Sequence, residues 1–200
     1  MTAWQNQPII RVRKGRYLFN FFINISAGVG GKCSMEGKRL TSYAMEELEC
    51  PKCGHKHSLK KYKVINVTEK AKLKEEIMKN RLYQFSCEEC EYMAPLTYDS
   101  LYVDSRRNIM IYMAPVMNAE IKAEIAELEQ EKGIDKRLVD NINDLKEKIM
   151  IADNHLDDRV IEIIKIMYID QMKKEMEDDT LLNILFDYNR DNYCFLVFFQ

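Results

Sequence analysis

Cys50-Pro-Lys-Cys53-Gly54 and Phe85-Ser-Cys-Glu-Glu-Cys90 decide the reading of this chain. Two sulfurs three residues apart on a tight turn can both reach one ion, with backbone N–H groups turned toward them. Pro51 sets φ for the first turn, and Gly54 can take the positive φ that follows it. A tetrahedral ion needs four ligands. With 33 residues between Cys53 and Cys87, two such knuckles supply Cys50, Cys53, Cys87 and Cys90 and leave nothing over. Strand-like sequence flanks each knuckle, as in a zinc ribbon. The expectation is a structural zinc site on these four thiolates, with iron, which takes the same ligands, as the alternative metal. A closed four-thiolate shell has no open coordination position, which argues against metal hydrolysis.

Other uses of the same residues fit less well. A thioredoxin-like dithiol sits at the start of a helix after a buried strand. Ala44-Met-Glu-Glu-Leu-Glu49 is too acidic for that strand, and His55-Lys-His57 is no helix stripe. With four thiolates present, His55 and His57 read as exposed turn residues, and His155 as a solvated residue of a polar turn. The remaining cysteines, Cys33 and Cys194, are singletons, and nothing resembles a disulfide framework behind a secretion signal.

Outward from the knuckles, charge varies by segment. Residues 1–35 carry +5, residues 36–49 −2, residues 50–115 +4 and residues 116–200 −9. The acidic C-terminal half would repel phosphate, which argues against whole-chain wrapping of nucleic acid. The chain is 46% apolar with a net charge of −2, an ordinary globular composition. No apolar run approaches the ~20 residues of a membrane helix. In Tyr17-Leu-Phe-Asn-Phe-Phe-Ile-Asn-Ile25, two asparagines interrupt a would-be signal segment, and no small-x-small cleavage site follows, so the expected location is cytosolic.

Leu59 to Val67 reads as a strand, and Asn66 with Glu69 as a capping box opening a helix to about Lys79, where Asn80 is a left-handed stop. Leu82 to Ser86 is a second strand, and Tyr98 to Asp104 with Ile109 to Met113 a hairpin across Ser105-Arg-Arg-Asn108. Ile121, Ile125 and Leu128 mark a helix that Gly133 ends. Leu138, Ile142, Leu145 and Ile149 predict a second helix, and Val160, Ile161, Ile164 and Met167 a third. Thr180 to Asp187 and Tyr193 to Phe199 predict a terminal hairpin.

No other catalytic arrangement stands out, and neither a catalytic nor a cofactor-binding residue is assigned. Gly28-Val-Gly-Gly-Lys32 lacks the spacing of a phosphate loop. Asp157-Asp158 reads as two acids facing a helix N-terminus rather than an acid–base pair. Arg106 and Arg107, with Tyr98, Tyr102 and Tyr112 near them in sequence, read as a solvated turn, with single-strand stacking the alternative.

Cys50-Pro-Lys-Cys53-Gly54, the strand–helix–strand insert, Phe85-Ser-Cys-Glu-Glu-Cys90 and the tyrosine-rich hairpin ending in Ala114-Pro115 together resemble the bacterial and archaeal CpXC domain, over residues 42–115. Leu145-Lys-Glu-Lys-Ile149 through Leu156-Asp-Asp-Arg-Val-Ile-Glu162 looks like the segment that follows it in longer members. The resemblance implies a four-cysteine zinc ribbon on Cys50, Cys53, Cys87 and Cys90, and no particular activity. The second motif departs from the pattern by lacking its proline.

The resulting expectation is an α+β chain in three parts. Residues 1–41 form an extension, disordered or outside the natural start, which is expected at Met35 with Met45 second. Residues 42–115 form the zinc ribbon, and residues 116–200 a helical region with a terminal β-hairpin. Cys194-Phe-Leu-Val-Phe-Phe199 does not alternate, so it wants cover on both faces and at its edge. The reading therefore expects either truncation or association of the C-terminal region with a protein partner or a second copy. The expected function is a zinc-binding, non-enzymatic protein whose ribbon scaffolds macromolecular contacts. A nucleic-acid-binding regulator is the alternative, and a thiol-redox or metal enzyme the third reading.

Overall fold

Ser100–Asp104 and Ile109–Met113 are buried at every position. Apolar residues on both faces of a hairpin demand cover from both sides, and the surrounding chain supplies it. The computed structural model describes residues 11–13, 16–21, 39–175, 181–189 and 192–199. Its elements begin β1 (Arg11–Arg13), β2 (Arg16–Phe21), β3 (Ser42–Glu49), β4 (Lys56–Asn66), α1 (Lys72–Met78), a 3₁₀ turn (Arg81–Tyr83) and β5 (Gln84–Ser86). There follow β6 (Met93–Pro95), β7 (Ser100–Asp104), β8 (Ile109–Met113), α2 (Ala119–Glu129) and β9 (Asp135–Val139). The chain closes with α3 (Ile142–Asp153), α4 (Asp158–Glu175), β10 (Leu181–Asn189) and β11 (Asn192–Phe199). The architecture is α+β. Two compact units divide it, one of residues 30–146 and one of residues 147–200 with residues 1–29.

The first unit is built on a five-stranded sheet of order β3-β4-β7-β8-β9. Parallel neighbours need a crossover, and helices provide both: α1 lies between parallel β4 and β7, α2 between parallel β8 and β9. One sheet face, with Leu101, Val103, Met110 and Tyr112, packs on Ile121 and Leu128 of α2. On the hairpin's other residues, Ser100 Oγ meets Tyr83 OH at 2.5 Å and Asp104 meets Lys74 Nζ of α1 at 3.4 Å. A two-stranded sheet, β5 with β6, carries the second knuckle.

Several expectations change here. The region from residue 116 is not a separate helical part, because β9 joins the first unit's sheet as its fifth strand and α2 packs on that sheet's face. Leu138 is not a helix position: it lies in β9 and is half exposed, while its neighbour Val139 is buried. Gly133, at φ +77°, turns the chain from α2 into that strand. The capping box is an Asx turn instead. Asn66 Oδ1 accepts from the N–H groups of Thr68 and Glu69, the Glu69 carboxylate reaches Thr41 N–H, and α1 starts later, at Lys72. Asn80 is left-handed at φ 64°, as its short polar side chain allows. The acidic stretch before Cys50 is a strand, but an exposed one, not the buried strand of a thioredoxin-like dithiol. Almost no side chain of β3 is buried, so no alternation marks it; backbone pairing with β4 and the 2.7 Å Lys61–Glu46 ion pair hold it.

The second unit carries an antiparallel sheet of order β1-β2-β11-β10. Residues 1–41 are thus not wholly outside the fold: β2 pairs with β11, Phe19 opposite Phe195 and Leu18 opposite Leu196. The edge of β11 expected to lie open is covered by this strand, and the rest of residues 1–38 falls outside the described residues. Ile184, Phe186, Phe195 and Val197 pack under Ile161 and Met172 of α4 and Ile151 of α3. Of the expected stripe, Ile161 and Ile164 do face this core, joined by Tyr168, Ile169 and Met172, whereas Val160 and Met167 are exposed.

Buried Glu147 accepts from the Phe186 backbone N–H and from Lys165 Nζ, at 3.1 and 3.0 Å to its two oxygens. Lys148 joins Asp158, at 2.7 Å, and Glu162. Asp157 caps α4 through the Arg159 N–H, so the two adjacent acids are a cap and an ion-pair partner. His155 is exposed, at φ 55°, in the turn that ends α3, where its N–H meets Ala152 O and Leu156 N–H meets Ile151 O. Among the described residues no helix is long and apolar enough to cross a membrane.

Candidate metal centre

Each knuckle is the tip of a β-hairpin. The register of β3 on β4 ends at Glu49 opposite Lys56, and that of β5 on β6 at Ser86 opposite Met93. The chain between must turn back within six residues in each case, and both tips do so by the same hydrogen bonds. Cys50 N–H donates to His55 O at 2.9 Å, and Cys87 N–H to Tyr92 O at 2.8 Å. Gly54 N–H donates to Cys50 O, and Glu91 N–H to Cys87 O, at 2.8 and 3.0 Å. Gly54 and Glu91 both have positive φ, +73° and +57°. The tips thus repeat one geometry although the second has neither proline nor glycine.

The sequence-derived ligand set, Cys50, Cys53, Cys87 and Cys90, converges: the four Sγ atoms all lie within 4.8 Å of one another. The short approaches are between knuckles, Cys50 to Cys90 and Cys53 to Cys87, each 3.6 Å. Such a cluster of sulfurs can hold a metal ion. Cys50 and Cys87 are buried in a small apolar cluster with Phe85, flanked by Leu59, Tyr92 and Leu96, while Cys53 faces solvent. Burial pushes the Cys50 thiol up, but the backbone N–H groups of Cys53 and Lys52 and the thiols of Cys90 and Cys53 outweigh it and bring it to about 7. At Cys53 the His55 N–H pulls down, yet desolvation and the three neighbouring thiols prevail and push it up to about 12. Burial leads the upward shift of Cys90. Four thiols this close resist joint ionisation unless a cation compensates them.

His57 was expected as an exposed turn residue, and the structure places it elsewhere. It lies on β4, half-buried, with Nε2 3.2 Å from Cys87 Sγ and its ring edge-on to Phe85 at 5.3 Å. The available signal was its spacing. In a strand, His57 and Leu59 share a face, and Leu59 packs on the cysteine cluster. His55 is exposed.

The tyrosines near the Arg106-Arg107 turn do not form a stacking platform. Tyr98, Tyr102 and Tyr112 are buried, and Arg107 reaches Asp104 at 3.4 Å. Nor does either knuckle open a helix: Cys50–Cys53 leads into β4, and Cys87–Cys90 into β6.

Neither a curated protein nor a solved structure matches the chain. The family model of the CpXC protein does, over residues 48–165, which takes in both knuckles, the helical insert, β9, α3 and the first turns of α4. With more than half its length and all four clustered cysteines inside that match, the chain belongs to the CpXC family.

Proposed function

We propose that the cluster holds one structural zinc ion and that the protein is a non-enzymatic, cytosolic scaffold whose ribbon presents its two hairpins to another macromolecule. The observation that carries this is the sulfur spacing. Zinc–sulfur bonds of about 2.3 Å in a tetrahedron set the sulfurs about 3.8 Å apart, close to the 3.6 Å across each inter-knuckle pair. Cys50, Cys53, Cys87 and Cys90 would fill all four positions, so the ion would serve to tie two hairpins together. The cluster around Cys50, Phe85 and Cys87 is too small to do this by burial alone. Iron on the same ligands remains the other metal to be tested.

The nucleic-acid reading has less support. Lys56, Lys60, Lys61 and Lys63 line β4, but β3 sets Glu46, Glu47 and Glu49 directly across from Leu59, Ser58 and Lys56, which cancels much of the positive field.

Elemental analysis of the purified chain is expected to find one zinc per molecule, and chelation to remove protection from amide exchange in residues 42–113. Folded protein without metal, or a Cys87→Ala variant that melts like the parent, would overturn the zinc reading. Salt-dependent binding to short single-stranded or duplex oligonucleotides would replace the scaffold by the nucleic-acid regulator.

A further inference from the structure

A strand at the end of a sheet leaves one row of backbone groups without a ladder. In the five-stranded sheet β9 is such an end. Asp135 N–H donates to Asn108 O at 3.0 Å, and Val139 O accepts from Ala114 N–H at 2.8 Å. Alternate residues of a parallel ladder serve one neighbour, so Asp135, Arg137 and Val139 face β8, while Lys136 and Leu138 turn their N–H and C=O groups outward. Lys136 O accepts from Arg137 Nη1 at 2.7 Å. Among the described residues the other three outward groups, Lys136 N–H, Leu138 N–H and Leu138 O, have no hydrogen bond.

Beside this edge the sheet face is not filled. A cavity of about 160 Å³ lies between α2 and the sheet, walled by Met110 and Tyr112 of β8 and by Ile125 and Leu128 of α2. Three successive residues of β9, Lys136 to Leu138, also line it, so it reaches the backbone of the edge strand. Leu138, on the α2 face beside Tyr112, is 51% exposed. An apolar cavity of about this size accepts a benzene-sized group. Charge offers little selection: Glu129 and Lys136 both line the cavity, and Lys136 Nζ is held by Glu129 O at 3.2 Å and by Glu131 O.

We propose that the outer edge of β9 and this cavity together receive an extended peptide segment of a partner protein, which adds a sixth strand and sets one large apolar side chain in the cavity. The unpaired backbone groups call for a strand. The cavity calls for a leucine, methionine or phenylalanine on that strand's α2 face. In an antiparallel addition the residue that exchanges both bonds with Leu138 lies on that face, so one residue can meet both demands. A second copy of this chain is a poorer occupant. The two-fold pairing that would offer its Leu138 sets Arg137 directly against Arg137. The edge lies at the opposite end of the sheet from β3 and asks nothing of the metal, so it stands apart from the zinc reading.

Selection from a displayed library of random linear peptides against the full-length chain tests this, followed by titration of a synthetic peptide from the enriched pool. Enriched sequences are expected to share one large apolar residue and to bind in the micromolar range. On binding, the Lys136 and Leu138 amides are expected to gain protection from exchange, while those of Asp135, Arg137 and Val139 change little. Leu138→Pro deletes an outward N–H and spares the β8 ladder, and Ile125→Trp fills the cavity from α2. Each is expected to weaken the peptide about tenfold or more, with melting temperature as the check on folding. Should Leu138→Pro unfold the chain, Ile125→Trp and the amide protection still decide. A library that yields no binder overturns the proposal. So do peptides that leave the Lys136 and Leu138 amides unprotected, peptides indifferent to Ile125→Trp, or a parent dimer that Leu138→Pro dissolves.

Discussion

Gly54 and Glu91 hold the same place in the two knuckles. Each lies four residues after the first cysteine, each returns its N–H to that cysteine's carbonyl, and each has positive φ. Only the first is a glycine. An L side chain in this region costs roughly 1 kcal/mol, and glycine escapes it.

Glu91→Gly should therefore raise the stability of the ribbon by up to about 1 kcal/mol, and Gly54→Ala should lower it by a similar amount. A Cβ on Gly54 would meet only Glu49 Oε1, at an ordinary 3.5 Å, so the loss would come from φ and not from a clash. Thermal melts of the metal-loaded protein would check both directions.

His57 should tighten metal retention without being a ligand. With Cys87 as the thiolate, an Nε2 N–H at 3.2 Å donates to the sulfur and fixes its orientation. His57→Phe keeps an aromatic ring against Phe85 and removes the donor. It is expected to weaken retention about 10- to 100-fold in competition with a chromogenic chelator, with folding of the loaded protein intact.

Lys148 links Asp158 and Glu162 beside buried Glu147. Lys148→Met removes a cation shared by Asp158, Glu162 and buried Glu147, with Lys165 still beside the two glutamates, and should cost about 1–3 kcal/mol near neutral pH. The sign across pH follows from the shifts. Although burial pulls the Lys148 ammonium down, the bonds to Asp158 and Glu162 win and raise it above its usual 10.5; its stability is complete below that value and lost as pH rises through the folded one. At Glu162 burial pushes up, but Lys148 and Lys165 win and lower it below 4.5; its stability is present above 4.5 and lost as pH falls through the folded value. Glu147, raised chiefly by burial, acts with the opposite sign. The gap between parent and variant in urea denaturation is thus expected to be widest between 4.5 and 10.5 and to narrow on either side.

Cys194 should be inert in the folded chain. Burial, then the Asp187 charge, pushes its thiol up to about 11, and Sγ lies 3.5 Å from Asp187 O. Iodoacetamide at pH 8 is expected to leave Cys194 unmodified until denaturant is added, as read by peptide mass spectrometry.

Spacing alone picked out the four thiols that cluster. The two C-x-x-C pairs named Cys50, Cys53, Cys87 and Cys90 because a tight turn presents both its sulfurs to one point whatever the rest of the chain does. Local signals also placed α2, the β7–β8 hairpin, the stop at Asn80 and the terminal β10–β11 pair, since buried elements carry their hydrophobic period in the sequence. Tertiary structure decided what has no such period. β3 is a strand by pairing with β4, with almost no buried face to leave a pattern. β9 is a strand because β8 offers it a parallel edge, which helical spacing from Leu138 to Ile149 concealed. Likewise β2 joins β11 across more than 170 residues, and His57 reaches Cys87 only because the two hairpins meet at the cluster. Contacts between distant segments depend on where each segment's other face is buried, and that is settled only when the sheets assemble.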